Sequence, residues 1–283
     1  MPSLDQYIAQ VKSLPPAPRI LPQLLELLGV ENVPTERIVE LVTFDPALTA
    51  RVLHRCNAAA FGSDRAVHDL SEAVPRLGYN EVYRLVAAVV GESVLGGSQP
   101  GYGIGTGELW QHSVAAAVAA RQLAQRRDAD ENLVFTAALL HDVGKLVLSG
   151  YLADSYASIV TQTENSGRSL QEVEQSLLGT DHAEVGAKLL EQWHFPDKLV
   201  LAVRHHHDPI QARPFEQLAA YVYTGDIIAH LVGHGHGHQA YALRVRGEIL
   251  DWLKLDPKHI ESCVLETGMA LGEIPWFSPA KAL

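Results

Sequence analysis

The chain has 283 residues, with 22 lysines and arginines against 33 aspartates and glutamates and a formal net charge of −11. That balance, with no basic stripe interleaved with aromatics, excludes the electrostatic footprint of a nucleic-acid binder, and an anionic substrate would have to be drawn in by local metal or lysine charge. Only Cys56 and Cys263 are present, both in patterned apolar segments, which excludes a disulfide scaffold and predicts buried, reduced thiols in a cytoplasmic protein.

In chain order, apolar residues recur three and four apart while alternating β-branched runs are scarce, so the expected fold is all-α: a two-lobed helical domain. Pro15, Pro16 and Pro18 stiffen the start, and residues 38–42, 48–56 and 82–90 read as amphipathic helices of a small N-terminal lobe spanning 1–97. Asp45-Pro46 places an acidic cap before a first-turn proline, and Asn80 opens the stretch 81–95. His54 and His68 are lone histidines, read as packing. The longest apolar runs, such as 85–90, fall far below the ~20 residues of a spanning helix, and no charged-then-apolar leader is present, so no membrane association is expected. Glycines at 96, 97, 101, 103, 105 and 107 cannot sustain a helix, and 98–107 is read as a linker rather than a phosphate cradle, because no strand precedes it. A helical bundle then fills 108–283, with a capping box at Ser169 to Glu172 and a second acidic cap at Asp256-Pro257.

Eight potential metal ligands punctuate this second lobe: Glu108, His112, His141, Asp142, His182, His206, His207 and Asp226. Glu108 and His112, four apart, share a helix face. His141-Asp142 follows the apolar run 133–140, where a charge without a counter-ion would cost several kcal/mol. Asp142 can offer one oxygen to each of two cations, and Lys145, one turn beyond His141, can neutralise a phosphoryl oxygen. His182 opens a helical stretch, and His205-His206-His207 ends another. Successive residues lie about 100° apart on a helix, so at most two of those three aim at one cluster: His206 and His207, with His205 behind them. Asp226 sits inside an apolar helix over 215–232. Each residue alone is more often satisfied packing than a ligand, but together they supply the imidazole and carboxylate mixture that suits two adjacent iron or manganese ions and argues against a closed zinc site. The tract Gly233-His234-Gly235-His236-Gly237-His238 has no carboxylate and little preorganisation, and is assigned no function.

The order of these ligands resembles the HD superfamily of metal-dependent phosphohydrolases, most closely its HD-GYP branch, with Lys145 at the lysine of the HDxGK motif. That resemblance implies catalytic roles for Asp142 and Lys145, and a third metal ligand at Glu108, four before the first histidine. The GYP part is absent: the chain continues Pro209-Ile210-Gln211 after His207-Asp208. A longer resemblance, carried by Leu14-Pro15-Pro16-Ala17-Pro18, by Asp45-Pro46-Ala47-Leu48-Thr49 with Val52, Leu53 and Asn57, and by Ala73 with Leu77-Gly78, is to the HDOD family of bacterial signalling proteins. HDOD proteins have often lost their ligands and act as regulatory modules, whereas this chain keeps the set. The resemblances imply a phosphohydrolase holding two or three divalent ions and acting on a phosphorylated small molecule or nucleotide, or else a regulatory module whose N-terminal lobe docks a signalling protein.

Overall fold

The structure, a computed structural model, describes residues 4–10, 19–30, 33–43, 45–58, 66–127, 129–166, 168–235 and 246–274. Every regular element among them is helical, and one isolated antiparallel bridge pairs Gln99 with Ile104. The first helix is α1 (Leu4–Gln10), followed by α2 (Ile20–Leu28), α3 (Thr35–Thr43), α4 (Pro46–Asn57), α5 (Leu70–Leu77) and α6 (Tyr79–Leu95). Then come α7 (Glu108–Gln125), α8 (Glu131–Leu140), α9 (Gly144–Leu152), α10 (Tyr156–Ser166) and α11 (Leu170–Leu178). The last described helices are α12 (His182–Gln192), α13 (Asp197–Arg204), α14 (Glu216–Ala229), α15 (Gly247–Trp252) and α16 (Pro257–Gly272). Two compact units form, one of Pro16–Ser93 and a larger one of Met1–Pro15 with Val94–Leu283.

In the smaller unit the motif residues act as caps and clasps. Asp45 Oδ1 accepts from the amides of Ala47 at 2.8 Å and Leu48 at 3.2 Å, with Pro46 in the first turn, and so starts α4. Asn57 holds Val67 from both sides, accepting from its amide at 2.8 Å and donating to its carbonyl at 2.7 Å. Gly78 ends α5 at φ +81°, a conformation glycine adopts without strain. Leu24, Ile38, Val42, Leu48, Val52, Val74, Val82 and Val86 form the core behind these turns. The proline motif at 14–18 lies outside the described residues.

The larger unit is built around α7, which packs against α8, α14 and α16. Ala115, Ala116, Ala117, Ala119 and Ala120 are buried along it, and their small side chains let neighbours approach. On α14, Gly225 takes this furthest, because a Cβ there would stand 2.6 Å from the Ala116 carbonyl oxygen. Within Glu131–Thr163 an 18-residue segment has the mean hydropathy (1.4) of a membrane span, yet 89% of that segment is buried inside the fold, as expected of core helices. Cys56 and Cys263 are buried free thiols.

Two expected boundaries shift. Residues 98–107, read from their glycines as a linker, are folded into the larger unit: Pro100–Tyr102 makes a 3-10 turn, and the Gly101 amide donates to Ser149 Oγ at 3.1 Å. A Cβ on Gly101 would lie 2.2 Å from the Ser149 carbonyl oxygen, so glycine here serves close packing rather than flexibility. The first residues, assigned from sequence to the 1–97 lobe, also join the larger unit, where α1 packs on α9 and α12 and Tyr7 Oη donates to the Leu178 carbonyl at 2.9 Å.

Candidate metal centre

The polar side chains that interrupt the large unit's apolar helices converge. His112 lies one turn into α7; His141 terminates α8, and Asp142 occupies the turn before α9. Gly144 opens α9 hard against α12, where a Cβ would fall 2.0 Å from the His182 carbonyl oxygen, so the glycine after His141-Asp142 lets the two helix starts meet. His182 is the first residue of α12, behind an Asp181 cap, and His206 and His207 follow the end of α13. His112, His141, Asp142, His182, His206 and Asp226 are all at most 6% exposed.

Around one half, His112 Nε2 is 3.1 Å from Asp226 Oδ1 and 3.4 Å from His141 Nε2, and His141 Nε2 is 3.4 Å from Asp142 Oδ2. Around the other, His182 Nε2 is 2.8 Å from His207 Nε2 and 3.4 Å from Asp142 Oδ1, with the His206 ring 3.9 Å from that of His207, centroid to centroid. Asp142 thus turns one oxygen toward each half. Lys145 Nζ donates to Asp142 Oδ2 at 2.6 Å and is 4% exposed.

Four rings are fixed through Nδ1, which faces an acceptor: the Ala138 carbonyl for His141 at 2.7 Å, the Val203 carbonyl for His206 at 2.7 Å, the His234 carbonyl for His112 at 2.9 Å and Glu174 Oε2 for His182 at 2.6 Å. An acceptor at Nδ1 demands a proton there, so in each neutral ring the Nε2 lone pair points into the cluster. The Nε2 lone pairs of neutral His112 and His141, facing each other across 3.4 Å, repel unless a positive charge lies between them. His206 Nε2 and Asp142 Oδ1 are buried with no hydrogen-bond partner. With metal–donor bonds of about 2.0–2.2 Å, neighbouring donors on one ion stand about 3 Å apart, close to the spacings found here. The donor set, its orientation and its unsatisfied atoms all fit divalent cations.

Burial and the neighbouring rings hold His206 down at about 3, and keep His141 and His207 below the usual imidazole range, so these rings are neutral, as ligands must be. Burial opposes ionisation of both aspartates, but Lys145 and the imidazoles outweigh it at Asp142, and His112 and His230 do so at Asp226; both stay well below the ordinary carboxylate range. Burial likewise disfavours a proton on His182, yet the Glu174 carboxylate wins and raises that ring.

Of the eight ligands expected from sequence, seven come together; Glu108 does not. It is exposed, and its Oε2 accepts from the Gly105 amide at 2.7 Å, closing the turn before α7. His205 stands outside the donor groups, as its position on the turn implies. Two further participants are absent from the expected set. His230, four beyond Asp226, joins His112 and Asp226 in a third donor group, and the four-residue spacing is the available signal. Glu174, 0% exposed on α11, binds both the amide of His182, at 2.9 Å, and its Nδ1, while Tyr102 Oη donates to its other oxygen at 2.6 Å. Burial and the Glu174 carboxylate push the Tyr102 phenol well above its usual range, which keeps it a donor. Nothing in the spacing separates Glu174 from its exposed neighbours.

The HDOD domain profile matches residues 14–209. The chain belongs to the HDOD family. Among solved structures, an HDOD domain protein with unknown function from Geobacter sulfurreducens is 23% identical, with a TM-score of 0.68 over 98% of this chain and 97% of that one. A protein from Marinobacter aquaeolei VT8, provisionally named for signal transduction, is 24% identical with a TM-score of 0.71, and the match covers 94% of this chain and 60% of that one. A provisionally named phosphohydrolase from Shewanella amazonensis SB2B is 24% identical, with a TM-score of 0.67 over 95% of this chain and 97% of that one. These likenesses give the fold. An uncharacterized protein of Treponema pallidum (strain Nichols) is 24% identical over 202 residues, 70% of this chain, and the matched part spans only 38% of that relative's length.

Proposed function

We propose that this HDOD protein is a metal-dependent phosphohydrolase that cleaves a phosphoester or phosphodiester in a phosphorylated small molecule or nucleotide. The observation that carries the reading is the placement of Asp142, buried between two sets of inward-facing imidazoles with one oxygen toward each. His112, His141, Asp142 and Asp226 would hold one ion and His182, His206, His207 and Asp142 a second; the absence of thiolates favours iron or manganese. Such ions supply Lewis acidity toward water and phosphoryl oxygen. Glu174 orients His182 through Nδ1, and the carbonyls of Ala138 and Val203 do the same for His141 and His206. Lys145, beside Asp142, brings a fixed positive charge that can hold a phosphoryl oxygen in place. The name of the Shewanella neighbour supports this reading.

The test is turnover of generic phosphomonoester and phosphodiester substrates by full-length, tag-free protein loaded with Fe(II) or Mn(II). Hydrolysis that disappears in a His141→Ala, Asp142→Ala double variant is expected; rates equal to that variant's overturn the reading. The runner-up is a regulatory module whose smaller unit docks a signalling protein. It is favoured by the Marinobacter neighbour's name and by an open groove of about 310 Å³ lined by Leu28, Val33, Leu77, Tyr79 and Arg84. Protein that holds its metal yet stays inert on those substrates would shift the weight to it.

A further inference from the structure

His230 lies one helical turn beyond Asp226, with its Nε2 3.5 Å from Asp226 Oδ1 and its side chain 10% exposed. Its ring centroid is 5.0 Å from that of His112, and its Nδ1 is buried with no hydrogen-bond partner. Nε2 is the nitrogen on the Asp226 side, so it is the donor that a cation held by His112 and Asp226 would engage, while Nδ1 lies against Gly235.

The backbone around His230 is shaped to the same end. His230 keeps α-helical φ/ψ and its amide donates to the Asp226 carbonyl, so it stands one turn further along α14, and the chain kinks three residues later at Gly233. Gly233, at φ +89°, reverses the chain so that the His234 carbonyl accepts from His112 Nδ1 at 2.9 Å. Gly235 then passes over His230, where a Cβ would fall 2.2 Å from Nδ1. The first half of the glycine-histidine tract therefore closes over two rings of the cluster; residues 236–238 lie outside the described residues.

We propose that His230 is a ligand to the cation held by His112 and Asp226, an inference that rests on the metal reading of the cluster. That half then presents His112, His141, Asp142 Oδ2, Asp226 and His230, whereas the other presents His182, His206, His207 and Asp142 Oδ1. For ions that prefer about six donors, the first half is nearly closed and the second is the more open. An incoming phosphoryl oxygen is thus directed to the His182, His206 and His207 side. Glu108 has no part in this arrangement, since it caps the Gly105 turn.

The experiment titrates the metal-free, full-length, tag-free chain with Co(II) alone, follows stoichiometry and affinity by calorimetry, and counts imidazoles per ion by X-ray absorption. Two ions per chain are expected for the wild-type protein. In His230→Ala the affinity for one of the two should fall at least ~10-fold, the lower bound seen when even a supporting residue is lost, and the imidazole count should drop. His230→Gln, which keeps more of the volume, should do the same, and serves if His230→Ala fails to fold. Glu108→Gln should leave both affinities unchanged. If the wild type takes up two ions and both His230 variants match it in affinity and imidazole count, the assignment of His230 is overturned while the metal reading stands. A wild-type chain that takes up no divalent ion overturns both.

Discussion

The two units use polar residues in opposite ways. In the smaller one Asp45, Asn57 and Asp69 are exposed, sit at helix ends and are satisfied by nearby backbone groups. In the larger one His112, His141, Asp142, Glu174, His182 and Asp226 are buried, and several of their partners come from helices far away in sequence. A polar group answered locally shapes a turn and needs no further explanation. One taken into the core against its desolvation cost, with lone pairs left facing inward, calls for a ligand.

The sharpest break in this contrast is Asp142→Ala. It deprives the buried Lys145 ammonium of its carboxylate and should cost about 3–5 kcal/mol in the metal-free protein, with loss of bound metal; a chemical-denaturation midpoint and metal analysis measure both. Acid should act in the same direction on the large unit. The imidazole of His206, at about 3, and that of His230, at about 4, stay neutral in the fold, while in the unfolded chain they take up protons near 6.5. Stability of the metal-free protein therefore falls as pH drops from about 6.5 toward 3, and Asp142 and Asp226 add to the loss below the ordinary carboxylate range. His182 runs the other way: its raised value contributes fully below 6.5 and fades as pH rises through it. Melting temperature across this range, with chelator present, reads the sum; a flat profile would refute the burial of neutral rings.

Glu174→Gln tests support at a distance. It weakens the acceptor for His182 Nδ1 and should lower metal affinity by about 10–100-fold with little change in fold, measurable by competition with a chelating dye. The smallest effect belongs to the other unit. Asp45→Ala removes the α4 cap at about 1 kcal/mol and should leave metal content untouched; a loss of metal would erase the distinction between the units.

Much of this architecture is legible in the amino-acid sequence. Asp45-Pro46, Asp256-Pro257 and the Ser169 capping box open helices where the sequence predicts them, because a cap is a matter of neighbours a few residues apart. The ligand types are legible too, since a histidine or aspartate inside an apolar helical period stands out. The exchange of Glu108 for His230 is not. Both lie four residues from a ligand, and only the path of the chain around each, a closing turn at Gly105 or the continuation of α14 one turn past Asp226, decides which ring or carboxylate faces inward. The glycines at 96–107 mislead for a related reason: composition reports that a helix cannot continue, but not whether the space thereby freed is filled by solvent or by Ser149.

An all-helical chain, its principal helix starts and the imidazole and carboxylate chemistry available to it follow from residue order alone, because periodicity, capping and residue type are local properties. The unit boundaries, the Tyr102–Glu174–His182 support and the inclusion of His230 emerge only once the chain is folded. They depend on how closely helices approach at Gly101, Gly144 and Gly225, and on which distant groups must share a space from which water is excluded.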